Sequence, residues 1–196
     1  MKRFTIASIV VILLLGFSGI AGAMSYTITP EDHDLYDLDH GYAYKWGIDL
    51  EIPDGETIVG ASLLFEDIRN WNSSTNDLWV RLVNSASSGI TQYYDGYYGQ
   101  ADYFAGQGTF LEQWHNIPAT PQDITYTFDA AEVAALQDYV SDGNFGLTFD
   151  PDCHFYNDGI SLIIETADPV VPEPSTVLLL GSGILGLVAM RRRRKK

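Results

Sequence analysis

The chain ends in an uncharged apolar run, Val177–Met190, closed by six consecutive cations: Arg191, Arg192, Arg193, Arg194, Lys195 and Lys196. Fourteen helical residues reach about 21 Å at roughly 1.5 Å each, somewhat short of a bilayer core of about 30 Å. Ser175 and Thr176 can lengthen the run on one side. On the other, the Arg stems can lie in the apolar layer while their heads reach the headgroups. Six cations should hold that end on the cytoplasmic side. A buried core helix is the plainer alternative, but a core helix is not expected to stop in six cations. Residues 177–190 are therefore predicted to be a transmembrane helix, and 191–196 its basic stop.

The other end carries a second address. Lys2-Arg3 is a positive start, Ile6–Phe17 an apolar stretch, and Ala21-Gly22-Ala23 a small-residue cleavage site. This is the pattern of a secretory signal peptide, residues 1–23, with cleavage after Ala23. What remains is an exported domain, residues 24–168, and a linker, 169–176. Three prolines between Asp168 and Pro174 should keep that linker extended and open to a protease. Gly181-Ser182-Gly183-Ile184-Leu185-Gly186 fits a dinucleotide-binding pattern. It lacks the strand before it and the acidic residue about 20 positions after it. Small residues inside a membrane helix account for it better.

Pro172-Glu173-Pro174, the apolar run and the cation cluster, in that order at the C-terminus, resemble the PEP-CTERM sorting signal of Gram-negative bacteria. The resemblance covers the last twenty-five residues or so. It implies recognition by an exosortase, a membrane-embedded transpeptidase-like cysteine protease that acts near Pro172, Glu173 and Pro174. It also implies delivery to the cell surface or outside, often with exopolysaccharide and biofilm matrix. It is silent on the domain upstream.

Setting both addresses aside changes the charge. All 26 Asp and Glu fall between Glu31 and Glu173, where the only cations are Lys45, Arg69 and Arg81, a formal charge of −23 against −15 for the whole chain. Such a surface repels nucleic acid and anionic lipid and attracts divalent cations. Solubility outside the cell explains the charge equally well. The exported part has 145 residues, enough for one domain with a core of its own. Cys153 is its single cysteine, so no internal disulfide can brace it. Phe155 and Tyr156 nearby suggest that Cys153 is buried.

The exported part reads as all-β. Strands are predicted over Tyr42–Ile52, Thr57–Ile68, Leu78–Val83, Ile124–Phe128, Phe145–Phe149 and Ile160–Thr166. Leu78, Val80 and Leu82 alternate with Trp79, Arg81 and Val83, the two-residue period of a strand. One helix follows Asp129, with Glu132 completing a capping box and Gly143 as its stop. Short strands with turn signals between them predict a single jelly-roll-like β-sandwich with one short helix. The layout also resembles extracellular jelly-roll domains found on other PEP-CTERM proteins.

Three segments offer chemistry. Asp150, Asp152, Asn157 and Asp158 bring closely spaced oxygens that could hold Ca²⁺, although a turn-rich loop needs the same residue types. His154 lies among them beside Cys153, a poor spacing for a structural zinc site. Glu31–His40 is denser still, with Asp37, Asp39, His33 and His40, and could supply ligands. A solvated acidic segment is the simpler reading. Tyr93, Tyr94, Tyr97, Tyr98 and Trp114 could stack on sugar faces, or could pack on the sandwich as a hairpin around Asp95-Gly96. No nucleophile elbow, zinc-protease motif or phosphate loop is present. The expectation is a non-catalytic structural or adhesive protein of the envelope or matrix. The alternatives are a carbohydrate-binding module and, less well supported, a glycan hydrolase.

Overall fold

The computed structural model describes residues 23–31, 35–96, 101–141, 143–168 and Ser182. The predicted signal peptide apart from Ala23, the linker with the Pro172–Pro174 motif, the apolar run apart from Ser182, and the basic stop lie outside the described residues. Among the described residues no helix is long and apolar enough to cross a membrane.

Among the described residues of 23–168, eleven strands and one helix follow in order: β1 (Ala23–Ile28), β2 (Asp37–Leu38), β3 (Tyr42–Asp49), β4 (Thr57–Asn70), β5 (Asp77–Val83), β6 (Gly89–Tyr94), β7 (Thr109–His115), β8 (Gln122–Thr127), α1 (Ala130–Val140), β9 (Asn144–Pro151), β10 (Phe155–Tyr156) and β11 (Gly159–Ala167). All pairings are antiparallel. The first sheet runs β1-β11-β4, with β8 on the far side of β4 and the short strands β10 and β2 extending beyond β4's last residues. The second runs β6-β3-β9-β5-β7.

Alternation builds the core between the sheets. On β11, Ile160, Leu162 and Ile164 are buried between less buried Ser161, Ile163 and exposed Glu165. Leu63 and Phe65 on β4 face Phe145, Leu147 and Phe149 on β9 in one cluster. Phe65 meets Phe149 edge-on at 5.8 Å and Trp114 at 5.4 Å. Strand β9 departs from alternation because its outer face is covered too. Gly146 lies against Ala86, and Asp150 is roofed by the 101–108 loop. Gly47 on β3 is needed where the β5–β6 connection crosses it, since an added Cβ would meet the Ser87 carbonyl oxygen at 1.9 Å.

Asp129 caps α1 as expected, accepting from Ala131 and Glu132 N–H while the Glu132 carboxylate accepts from Asp129 N–H. Gly143, at φ +81°, follows the last turn and donates to the Val140 carbonyl. The helix closes one pole of the sandwich, where the Gln137 side chain accepts from Ile58 N–H. Strand β4 measures the distance between the poles. Its first residue pairs with Ala167 and its last with Phe155. Thirteen steps of about 3.3 Å separate them, roughly 43 Å. Residues 23–168 form a compact unit with their own core, the mark of a domain that folds alone.

Six of the eleven strands were anticipated. The edge strands β1, β6 and β7 and the two-residue β2 and β10 were not. Phe65 is fully buried, and Phe65→Ala should cost about 3–5 kcal/mol. Urea unfolding of the 23–168 domain measures this, and a loss under about 1 kcal/mol would contradict the packing described.

Candidate functional site

At the pole opposite α1, the two-residue ladder of β2 and β10 joins two loops that lie far apart in sequence. Phe155 pairs with Leu38 and Tyr156 with Asp37. Leu38 and Phe155 are fully buried, which fixes the ladder to the core. The buried Tyr44 hydroxyl accepts from Asp39 N–H at 2.8 Å and sits 3.4 Å from the Asp37 carbonyl, to which it donates. Burial raises its pKa to about 12, so it remains a donor. Gly41 N–H donates to Asp39 Oδ1 at 2.9 Å, and Tyr42 N–H to the Asp39 carbonyl at 3.0 Å. The chain therefore turns tightly with His40 at the bend.

His154 is held from the other side. Its carbonyl accepts from Trp71 N–H at 2.9 Å, and its Nε2 contacts Asp37 Oδ1. Its ring lies 6.1 Å from His40, 6.4 Å from Trp71 and 4.8 Å from Tyr156, centroid to centroid. Arg69 lies over Tyr156 at 5.8 Å and pairs with Asp158 at 3.6 Å. Trp71 is 58% exposed and Tyr156 38%. A second exposed pair, Tyr42 and Tyr94, stands edge-on at 5.9 Å just past the turn, where Asp95 N–H donates to the Gly41 carbonyl.

Of the four residues named for Ca²⁺, the three aspartates each contact a separate partner through a carboxylate oxygen, whereas Asn157 is held through its amide nitrogen and its Oδ1 is buried without a hydrogen-bond partner. Asp150 Oδ2 accepts from Tyr103 N–H at 2.6 Å, and Asp152 Oδ1 from Asp77 N–H at 2.5 Å. Asn157 donates to the Leu35 carbonyl at 2.6 Å, and Asp158 pairs with Arg69. Among the described residues, the His, Cys, Asp and Glu groups close enough to share an ion are Asp39, His40 and His154, whose ligand atoms lie within 4.8 Å of one another. Cys153 is buried, as expected, with its sulfur 3.6 Å from Ser74 Oγ.

The predicted aromatic surface divides. Tyr97 and Tyr98 lie outside the described residues. Tyr94 is exposed. Tyr93 is half-buried and packs on Tyr103 and Phe104, with Lys45 over its ring at 5.7 Å. Trp114 turns inward instead, edge-on to Phe65 and Tyr126. It stands opposite Leu78, an inward position of β5, so its ring belongs to the packing between the sheets. Trp71 and Tyr156 were missed as exposed rings. Trp71, just past the end of a long strand pattern, and Tyr156, next to an acidic loop, carried no periodic signal.

Asp150 shows what the roofing loop does. Arg81 Nε donates to Asp102 Oδ2 at 2.5 Å, Asp102 Oδ1 accepts from Phe104 N–H, and Phe104 is buried. The loop thus seals the outer face of β9. Burial pushes the Asp150 carboxyl up to about 7, partly opposed by the Tyr103 N–H and reinforced by Asp95, Asp102 and Asp152.

Residues 170–194 match the model of the PEP-CTERM protein-sorting motif. The motif implies an exported protein, sorted by an exosortase through a membrane-anchored precursor. No curated protein matches the chain. Solved structures that match include a recombinantly expressed latent aurone synthase (polyphenol oxidase), at 8% identity, TM-score 0.42, covering 70% of this chain and 27% of that one. The same enzyme from a natural source matches at 9% identity and TM-score 0.42, covering 72% and 28%. The chain thus spans about a quarter of the length of these structures, and at such scores they carry no argument about activity.

The raised Asp150 has a directional consequence. A carboxyl whose folded pKa exceeds its unfolded value favours folding below the ordinary carboxylate range. That advantage is lost as pH rises through about 7. Asp150→Asn keeps an acceptor for Tyr103 and should raise the melting temperature above wild type at pH 8, by at least about 3 °C for roughly 1 kcal/mol. The gap should close at pH 4. An equal effect at both pH values would refute the assignment.

Proposed function

We propose that this is an exported, exosortase-sorted protein of the cell envelope or extracellular matrix whose sandwich is a non-catalytic adhesive domain contacting exopolysaccharide. Strand order supports a jelly roll: β1-β11-β4-β8 packs on β3-β9-β5-β7, with successive strands mostly changing sheet. The observation that carries the reading is the pair of exposed rings Trp71 and Tyr156 on either side of the half-buried His154, with exposed Tyr42 and Tyr94 beyond the turn. Rings accept the apolar faces of sugars, while Arg69 at the end of β4 and Asp39 and Asp158 in the adjoining loops are placed to bind hydroxyls. A contiguous exposed apolar group on an otherwise acidic domain is what a contact surface requires.

One carboxyl is unsuited to glycan hydrolysis. Asp150 has the raised pKa of a general acid, but it is 2% exposed and sealed by Tyr103, so it can reach no bound glycan. A wholly structural role remains the second reading, supported by the same acidic, motif-poor domain.

Affinity electrophoresis of the 23–168 domain in gels containing bacterial polysaccharides tests the contact. Trp71→Ala and Tyr156→Ala should each weaken retardation at least about tenfold, roughly 1.4 kcal/mol. Retardation that both variants retain would remove the ring surface from the proposal. Sorting is tested separately: Glu173→Ala should leave unprocessed precursor in the membrane, and normal release would contradict exosortase recognition of Glu173.

A further inference from the structure

We propose that Asp39, His40 and His154 bind one divalent transition-metal ion, with Zn²⁺ as the probe, and that the ion pins the β2–β3 turn to the loop before β10. Two of the four histidines in the chain meet here, from positions 114 residues apart. Neither is a core residue; their side chains are 30% and 20% exposed. In a domain with three cations, solubility explains carboxylates but not converging imidazoles. Imidazole nitrogen with one carboxylate oxygen is a donor set for zinc and its neighbours, whereas Ca²⁺ takes oxygen alone.

The spacing suits the ion. Ligand bonds of about 2.0–2.1 Å place tetrahedral ligand atoms about 3.3 Å apart. The three atoms lie within 4.8 Å of one another, so small side-chain rotations close the site. The backbone is already fixed by the Tyr44 hydroxyl on one side and Trp71 N–H on the other. Gly41 N–H occupies Asp39 Oδ1, and a carboxylate has a second oxygen to offer. Asp37, in contact with His154 Nε2, supplies the carboxylate that commonly orients a metal-binding imidazole. Three protein ligands leave a position for water or a ligand hydroxyl.

The ion would have structural work to do. The segment leading into β3 is tied to the first sheet by a two-residue ladder, and the domain has no disulfide. A metal cross-link between residues 39–40 and 154 would close a long loop, the case in which a cross-link constrains the unfolded chain most. Zinc binding shares Asp39 and His154 with the polysaccharide reading but requires no glycan and uses neither Trp71 nor Tyr156 as ligand, so it can be tested with the metal alone.

The test is calorimetric titration of Zn²⁺ into EDTA-stripped protein, both the full chain in detergent and the 23–168 domain, with melting curves alongside. One ion per chain at micromolar affinity or tighter is expected, with a higher melting temperature in its presence. His40→Ala and His154→Ala should each weaken binding at least about tenfold. His115→Ala, which removes the histidine paired with Asp77 on β7, should not. Metal-free melting of each variant separates lost ligation from lost folding, and His40→Gln and His154→Gln serve if the alanine variants unfold. Diffuse, non-saturating uptake, equal binding of Ca²⁺, or binding unchanged in the histidine variants would overturn the proposal.

Discussion

Excluding charge from the core is the constraint on which this domain depends. Its 25 carboxylates, from Glu31 to Asp168, face three cations, and a buried unpaired carboxylate costs several kcal/mol. Alternation on β4, β5 and β11 answers that demand by turning polar residues outward. Among the described residues, the two buried carboxylates, Glu132 and Asp150, are each held by donors. Glu132 accepts from Tyr126 Oη at 2.6 Å and Asp129 N–H at 2.7 Å. In consequence the Tyr126 phenol is held well above its ordinary pKa, chiefly by burial and then by the Glu132 carboxylate. Asp150 is pushed toward neutral pH chiefly by burial, which its one backbone donor opposes and the like charges around it reinforce. Without a disulfide, the packing of Phe65, Phe149 and Trp114 across the sheets must supply most of the stability.

Those same physical rules decide how much could be read from the chain. Strands that bury one face, such as β5 and β11, announce themselves by a period of two, and the capping box at Asp129 and Glu132 is a local signal. Edge strands β6 and β7 bury little, so their patterns are mixed: Tyr93 and Trp114 look alike in sequence although one packs under a loop and the other in the core. Two-residue strands have no period at all. The metal group was half legible. Both of its loops stood out by composition, but nothing local says that Leu38 pairs with Phe155, and that pairing is what brings His40 to His154. Sequence spacing favoured Asp150, Asp152, Asn157 and Asp158 as one site, whereas the alternating faces of β9 and the loop beyond it send them to different partners.

The two poles of the sandwich carry different tasks. Ala23 pairs with Ala167, so the chain enters and leaves the domain side by side at the pole closed by α1. The linker and sorting tail continue from there. The β2–β3 turn, Trp71 and the His154 loop lie at the other end of β4, about 40 Å away at the rise of a strand.

That separation bears on what the loops can bind. A domain of formal charge −22, with 25 carboxylates and three cations, repels anionic polymers over about one Debye length, roughly 8 Å at physiological ionic strength, so rings alone would select neutral glycans. A cation held by Asp39, His40 and His154 would alter this locally. It would cancel charge at the one place where Trp71 and Tyr156 are exposed, and its remaining coordination position could take a hydroxyl or carboxylate from the polymer. Metal and rings together would then admit acidic polysaccharide at this pole while the rest of the surface kept it away, making attachment directional in a molecule whose overall charge opposes it.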